Sequence, residues 1–298
     1  MRIFGRTYRI QIKDLDVSEL RCVFKIQRSL RPVPNTAELS IYNLNEDHRR
    51  SLEQMPTRPD GVTLKQAVAS PKLYPMMSVE AGYEDSMPLL YLGEVRTAHS
   101  VVDGPNIVTK VSTGDGEKEQ RESRINVPIG PKTSIDFALT SLVKALGIGE
   151  GNLRAMIPKV RLNGAANMYV AGGVLSGSAA DELTAFCKSA NLEWSISNGQ
   201  LLLLDRTAPL NGKGYLLSAD TGLVGSPSID NLGVVSFRSF ILPNLEPGRL
   251  VVIESKFVKG TYRIDDATYT GDTEGKEWYV DCKAALPNTA VTSRGKKK

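Results

Sequence analysis

Apolar and polar residues alternate with a period of two along most of this chain, and near residues 126–205 the period changes to almost four. The first rhythm predicts half-buried strands and the second predicts amphipathic helices. Two strand hairpins, near 76–114 and 247–286, read as the same kind of object. In the first, Val79, Ala81 and Tyr83 alternate with polar neighbours. After Leu89-Leu90-Tyr91-Leu92, that chain turns at Asp103-Gly104-Pro105-Asn106 into Ile107, Thr109 and Val111. In the second, Leu250–Ile253 leads through Tyr262 and Ile264 to the turn Gly271–Gly275, then to Trp278, Val280, Cys282 and Ala284 on one face. The echo predicts a duplicated β-module, a common device for building rings.

Upstream of the first hairpin, Leu20, Cys22, Phe24 and Ile26 share a face and are followed by Leu39 and Ile41. A short helix is predicted after Asn45, a good cap, with Glu46 and Asp47 in the first turn facing the positive end of the helix dipole. Segment 55–75 holds Pro56, Pro59, Pro71 and Pro75 and few large apolar residues, so it reads as a long excursion whose edges are available for contact. On that reading, deleting 59–71 leaves the fold intact and impairs assembly.

In the middle of the chain, Ile135, Ala138, Leu139, Leu142, Val143 and Leu146 follow helical spacing, with Thr133 as the cap and Gly147 as the stop. A second helix starts at Ser178 and shows Leu183, Phe186, Cys187 and Ala190 on one face. Next, Leu192, Trp194 and Ile196 alternate up to Asn198-Gly199, a pair that accepts positive φ at both turn centres, and Leu201–Leu204 return. The predicted organisation is mainly β with an α/β insertion: a β-module over 1–125, a small α/β domain over 126–205, and a second β-module with a basic tail over 206–298. Nothing after about residue 206 reads as a helix.

Composition narrows the function classes. The chain has 298 residues, 41% hydrophobic and 23% charged, enough for more than one core of the usual ~100–150 residues. A formal charge of +4, with basic and acidic residues interspersed, does not support a dedicated nucleic-acid surface. Arg294-Gly295-Lys296-Lys297-Lys298 reads as a solvated basic tail. Cys22, Cys187 and Cys282 lie far apart at apolar positions and read as reduced thiols. The charged start, Met1–Arg6, does not fit a signal peptide, and no run approaches the ~18 apolar residues of a spanning helix. No membrane anchor is expected.

Candidate chemistry is sparse. The chain has only two histidines, His48 and His99, and neither has Cys or His at metal-ligand spacing. Asp265 and Asp266 are adjacent on a predicted strand, so their side chains diverge and cannot flank one glycosidic bond. Glu193 reads as a solvent-face neighbour of Trp194. Gly147-Ile148-Gly149-Glu150-Gly151 follows a helix, and Gly172-Gly173 lies in a loop leading to a helix cap; neither has the strand, Lys and Ser or Thr of a phosphate loop. No catalytic, cofactor-binding or metal-ligating residue is assigned, and no enzyme activity is expected.

The ordered segments Asn35–Leu44, Glu80-Ala81-Gly82-Tyr83, Gly93-Glu94-Val95 and Ser112–Glu117 resemble phage tail baseplate hub proteins of the late control protein D-like kind. Asn244–Arg249, Gly260–Ile264, Gly271-Asp272-Thr273 and Trp278-Tyr279 resemble the end of the same proteins. The resemblance spans most of the chain and departs from it at 55–75. It implies two tail-tube-like β-barrel domains flanking the α/β domain, and a homotrimer whose six barrels form a pseudo-sixfold ring. Such a ring joins the hexameric tail tube protein to a trimeric spike or tail-tip protein, contacts other baseplate proteins, and passes DNA and tape measure protein through its bore. The implied location is the virion tail baseplate, after assembly in the host bacterial cytoplasm. Two alternatives compete with this reading: a tail-associated cell-wall hydrolase, and a monomeric sheet-edge adaptor or chaperone.

Overall fold

The computed structural model describes residues 5–84, 86–162, 172–206, 208–210 and 214–287. The N-terminal part contains β1 (Arg6–Ile12), β2 (Leu15–Asp16), β3 (Cys22–Ser29), β4 (Asn35–Tyr42), α1 (Glu46–Glu53), α2 (Leu64–Ala69), β5 (Met76–Tyr83), β6 (Leu89–Asp103) and β7 (Asn106–Asp115). The middle contains α3 (Glu117–Glu122), β8 (Arg124–Ile129), α4 (Ile135–Leu146), α5 (Leu153–Leu162), β9 (Gly173–Ser178), α6 (Ala179–Ser189), β10 (Leu192–Ser197) and β11 (Gln200–Asp205). The remainder is β12 (Tyr215–Leu217), a short 3-10 turn at Ala219–Thr221, β13 (Leu223–Ile229), β14 (Val235–Phe240), β15 (Leu250–Glu254), β16 (Lys259–Asp272) and β17 (Trp278–Ala285).

The chain is thus mainly β, with the helices concentrated in the middle. Thirteen strands form one sheet in the order β13-β14-β17-β16-β3-β4-β7-β6-β5-β1-β2, with β15 on β16 and β12 on β15. The sheet curls into a half-barrel. Strict alternation drives this: in β3 and β4 every second side chain, from Cys22, Phe24 and Ile26 to Ala37, Leu39 and Ile41, is buried. A one-residue slip would move each of them into water, so the register is strongly specified. One apolar cluster runs through both β-modules, and in it Trp278 sits edge-on to Phe24 with ring centroids 5.5 Å apart. A second cluster gathers α4, α6, β10 and β11.

The helix after Asn45 forms as the sequence predicts, with the Asn45 side chain accepting from the His48 amide at 2.8 Å. The helix over 135–146 ends at Gly147 in the left-handed region, φ 68°. Its cap is Ser134, which accepts from the Phe137 amide. Thr133, the expected cap, instead donates to the Gly130 carbonyl at 2.7 Å. Ser178 caps α6, and Asn198 (φ 53°) and Gly199 (φ 70°) make the predicted turn between β10 and β11.

Two expectations are overturned, and two further elements appear. Segment 55–75 is not a free excursion: Thr63 and Gln66 form a capping box for α2, and Leu64 and Ala67 are fully buried in the second cluster. Its few apolar residues stand three apart, so one short face reaches the core while the prolines bracket the helix. Residues 153–162 add a helix, with Leu153, Met156 and Val160 buried. The internal Pro158, which removes a helical hydrogen bond, masked that spacing. Residues 6–12 form β1 along β5, in register from Arg6↔Tyr83 to Ile12↔Met77. Gly173 begins β9, which pairs with β8, rather than lying in a loop. The tail Arg294–Lys298 and residues Met1–Phe4 lie outside the described residues.

Candidate assembly surfaces

The echo between the hairpins extends to whole modules. One module runs β3-β4-β7-β6-β5 across the sheet, the other runs β13-β14-β17-β16-β15, and chain order is the same in both. The long strand of each, β6 or β16, pairs first with the strand before it and then with the strand after it. In its pairing with the strand after it, each also carries a bulge at the same place, and β6 has a second bulge toward β5 that β16 lacks toward β15. On β6 the shared bulge falls between Val95 and Thr97, and on β16 between Ile264 and Asp266. The bulges align Val95 with Ile264, Ala98 with Ala267 and Asp103 with Asp272, and the core positions of each pair match in character.

The modules join head to tail within the chain. The outer half of β16 pairs antiparallel with β3, from Asp266↔Ser29 to Asp272↔Val23. Arg21 reinforces the far end with a two-pronged hydrogen bond to Asp272 at 2.8 and 3.3 Å. That bond, more than burial, holds the Asp272 carboxyl below its usual range.

The solvent face of this sheet is polar and its charges alternate in sign. Across the register, Lys25 stands opposite Glu38, Lys283 opposite Asp266, and Arg238 opposite Asp281, the last pair hydrogen-bonded at 2.7 and 2.9 Å. Gln27, Ser40, Ser112, Thr268 and Thr270 fill the positions between them. A concave surface of about 950 Å³ on this side includes Gln27, Arg31, Asp266, Arg238, Asp281 and Lys283. Opposed charges of this kind leave no stripe of one sign.

The α/β part is clamped to the sheet by the turn of its hairpin. Asp115, at the end of β7, is fully buried and accepts the amides of Asn198 and Gly199 at 2.5 and 2.8 Å. Burial pushes its carboxyl up to about 7, against the pull of those two amides. Asn35 donates to the Ile196 carbonyl at 2.7 Å, Arg28 donates to Ser197 Oγ at 2.9 Å, and Asn198 accepts from the Leu92 amide at 2.9 Å. Two ionic clusters brace the same junction. In one, Arg58 bonds Glu119 and lies 3.3 Å from Glu94. In the other, Arg263 bonds Asp265 at 3.0 Å and faces Glu193 at 3.6 Å, with Arg206 3.9 Å from Glu193.

Glu193 therefore turns toward the buried Arg263 and the half-buried Arg206 and not toward solvent, because the sheet of the second module packs over that face of the hairpin. Burial raises its carboxyl, and the first-module β3–β4 turn lies close by in the same small cavity. Asp265 and Asp266 go to different partners, Arg263 for the first and Ser29 and Arg31 for the second. His48 bonds Asn45, and His99 is exposed on β6 opposite Lys110. All three cysteines are buried free thiols, and burial pushes Cys22 up to about 12. Among the described residues no group of three or more His, Cys, Asp or Glu is placed to hold a metal ion. No helix among them is long and apolar enough to cross a membrane. Asp115, Asn35 and Arg28 carry no local sequence signal of a clamp beyond Asp115-Gly116, which directly after a strand is a turn signal.

The profile of the baseplate hub gp41 family matches residues 7–284. No curated protein sequence matches the chain. Among solved structures, a 43 kDa tail protein of prophage MuSo2 from Shewanella oneidensis is 11% identical with a TM-score of 0.57, covering 95% of this chain and 99% of that one. A tail protein from Neisseria meningitidis MC58 is 8% identical with a TM-score of 0.57, covering 94% and 96%. The E. coli c3393 protein, a type VI secretion component similar in structure to the T4 bacteriophage tail proteins gp27 and gp5, is 9% identical with a TM-score of 0.50, covering 94% and 77%. These likenesses are of fold. Together with the family match over nearly the whole chain, they identify its class: the chain belongs to the baseplate hub gp41 family, the structural proteins of the phage tail baseplate.

Proposed function

We propose that three copies of this chain close a pseudo-sixfold hub ring that joins a hexameric tail tube to a trimeric spike or tail-tip protein. The observation that carries the reading is the duplication. Two modules with the same strand order and the same bulge make one chain the equivalent of two ring positions, and three chains then match six tube subunits. The partition into barrels over 1–125 and 206–298 with an α/β domain over 126–205 follows that duplication.

The polar face of the sheet lines the bore. DNA and tape measure protein pass along it, and its opposed charges avoid the grip that accumulates with every neutralised phosphate. The clamped α/β domain points outward, to other baseplate proteins. The protein works by geometry rather than turnover, with no catalytic residue, cofactor or metal, and it assembles in the host cytoplasm before entering the virion. Light scattering of the purified chain over a range of concentrations, with negative-stain images of the main peak, tests the reading. A mass three times 32.5 kDa in a threefold or pseudo-sixfold ring supports it. A monomer that clears peptidoglycan would put the hydrolase in its place, and an inert monomer at every concentration would favour the adaptor.

A further inference from the structure

The junction between the two modules also describes how one copy meets the next. We infer that the outer edge of β6 pairs antiparallel with β13 of a second copy, in the register that β16 and β3 adopt within the chain. The inference rests on the three-chain reading above and specifies its interface.

Four observations carry it. First, β6 corresponds to β16 and β13 corresponds to β3, so the internal β16·β3 pairing has one counterpart that a single chain cannot make. Second, among the described residues no strand pairs with the outer side of β6 over 96–103, or with the outer side of β13. Helix α1 packs against β6, but strand edges whose ladder is left unpaired are templates for pairing with another chain. Third, eight consecutive strands run from β13 to β6, and every step between them is antiparallel. An even number means that β13 of the next copy, related by rotation, meets β6 antiparallel, as the internal junction requires. Fourth, both edges expose aliphatic side chains: Val102 is 79% exposed on one and Ile229 is 51% exposed on the other.

The register follows from the bulge and the ladders. Aligning Thr97 with Asp266 sets Ser100 with Tyr269 and Val101 with Thr270. On the other strand, the pairing to β4 and β14 sets Lys25 with Ser228 and Ile26 with Ile229. Since Thr270 pairs with Lys25 and Tyr269 with Ile26, Val101 falls opposite Ser228 of the next copy and Ser100 opposite its Ile229. One step further, His99 comes beside Asp230. The bulge in β13 between Val224 and Ser228 then sits against Val102. A head-to-tail contact of this kind closes on itself only if its rotation closes, and closure at three requires the eight strands to turn through about one third of a circle.

The test uses the full chain carrying Val101→Cys and Ser228→Cys, with oxidised glutathione as oxidant, read on a non-reducing gel beside light scattering. The native thiols are buried and the two new ones lie on exposed edges, so folding is checked simply by comparing each single variant with the parent. Expected is a ladder of linked bands ending at three chains, reversed by reductant, with each single variant staying at one chain. A trimer by light scattering whose double variant gives no linked bands overturns the edge pairing and leaves the three-chain ring standing. A chain that stays single by scattering, with no linked bands, overturns both. Bands running beyond three support the edges and overturn closure at three.

Discussion

Replacing Asp115 by Ala should loosen the α/β part from the sheet, and the cost should depend on pH. The Asp115 carboxyl accepts both amides of the Asn198-Gly199 turn and is fully buried. Without it the two turn amides lose their acceptor, at about 1–3 kcal/mol each, so the gross loss is on the order of 2–6 kcal/mol. The folded carboxyl stands at about 7, against an ordinary value of 3.8. A carboxyl raised on folding contributes its full stability below the unfolded value and loses it as pH rises through the folded value. Most of that loss falls between pH 5 and pH 8, where it amounts to about 2–3 kcal/mol. Asp115→Ala should therefore cost more at pH 5 than at pH 8 by roughly that amount, because the parent alone weakens as pH rises. Urea unfolding of both proteins at the two pH values measures the difference, and other titrating groups cancel between them. An equal cost at both would show that Asp115 is ionised throughout, and no cost at either would show that the turn docks without it.

Other perturbations probe the turn, the ionic clusters and segment 55–75 separately. Gly199→Ala should lower stability by about 1–3 kcal/mol, since a Cβ there meets Val68 Cγ2 at 2.4 Å on top of a φ of +70°. Gly225→Ala, also at positive φ but with nothing within 4 Å, should cost less, and thermal melts of the two variants check the order. Arg58→Met leaves Glu119 buried and uncompensated, a loss of about 3–5 kcal/mol that adding Glu119→Leu should largely recover in a double-mutant comparison. Deleting 59–71 removes Leu64 and Ala67 from the second core, so it should abolish cooperative unfolding and yield insoluble chain. A soluble, cooperatively folding deletion would return the segment to the surface role that its prolines suggest.

The strands were legible where one face is buried and the other wet, because alternation then records burial directly. Trp278, Val280, Cys282 and Ala284 read as one face and are buried together. The α4 and α6 helices were legible for the same reason, down to Gly147 and Ser178. What stayed hidden depends on partners distant in sequence. β1 carries Arg6 and Arg9 among its apolar residues, and α2 has a single buried stripe of one turn. Glu193 resembles any strand carboxylate until Arg263, from another module, is placed beside it. The clamp is the clearest instance: Asn198-Gly199 announces a turn, but nothing nearby in sequence says that Asp115 lies beneath it. The duplication was visible as two similar hairpins, whereas its head-to-tail junction appears only in the register of β16 on β3.

The most direct test of the central claim is a cryo-EM reconstruction of the assembled tail tip that counts the copies of this chain around the axis. Three copies are expected, each contributing eight consecutive strands to one closed ring, with Lys25, Glu38 and Asp281 facing the bore. Six copies around the axis, or a single copy bound off it, would contradict the claim.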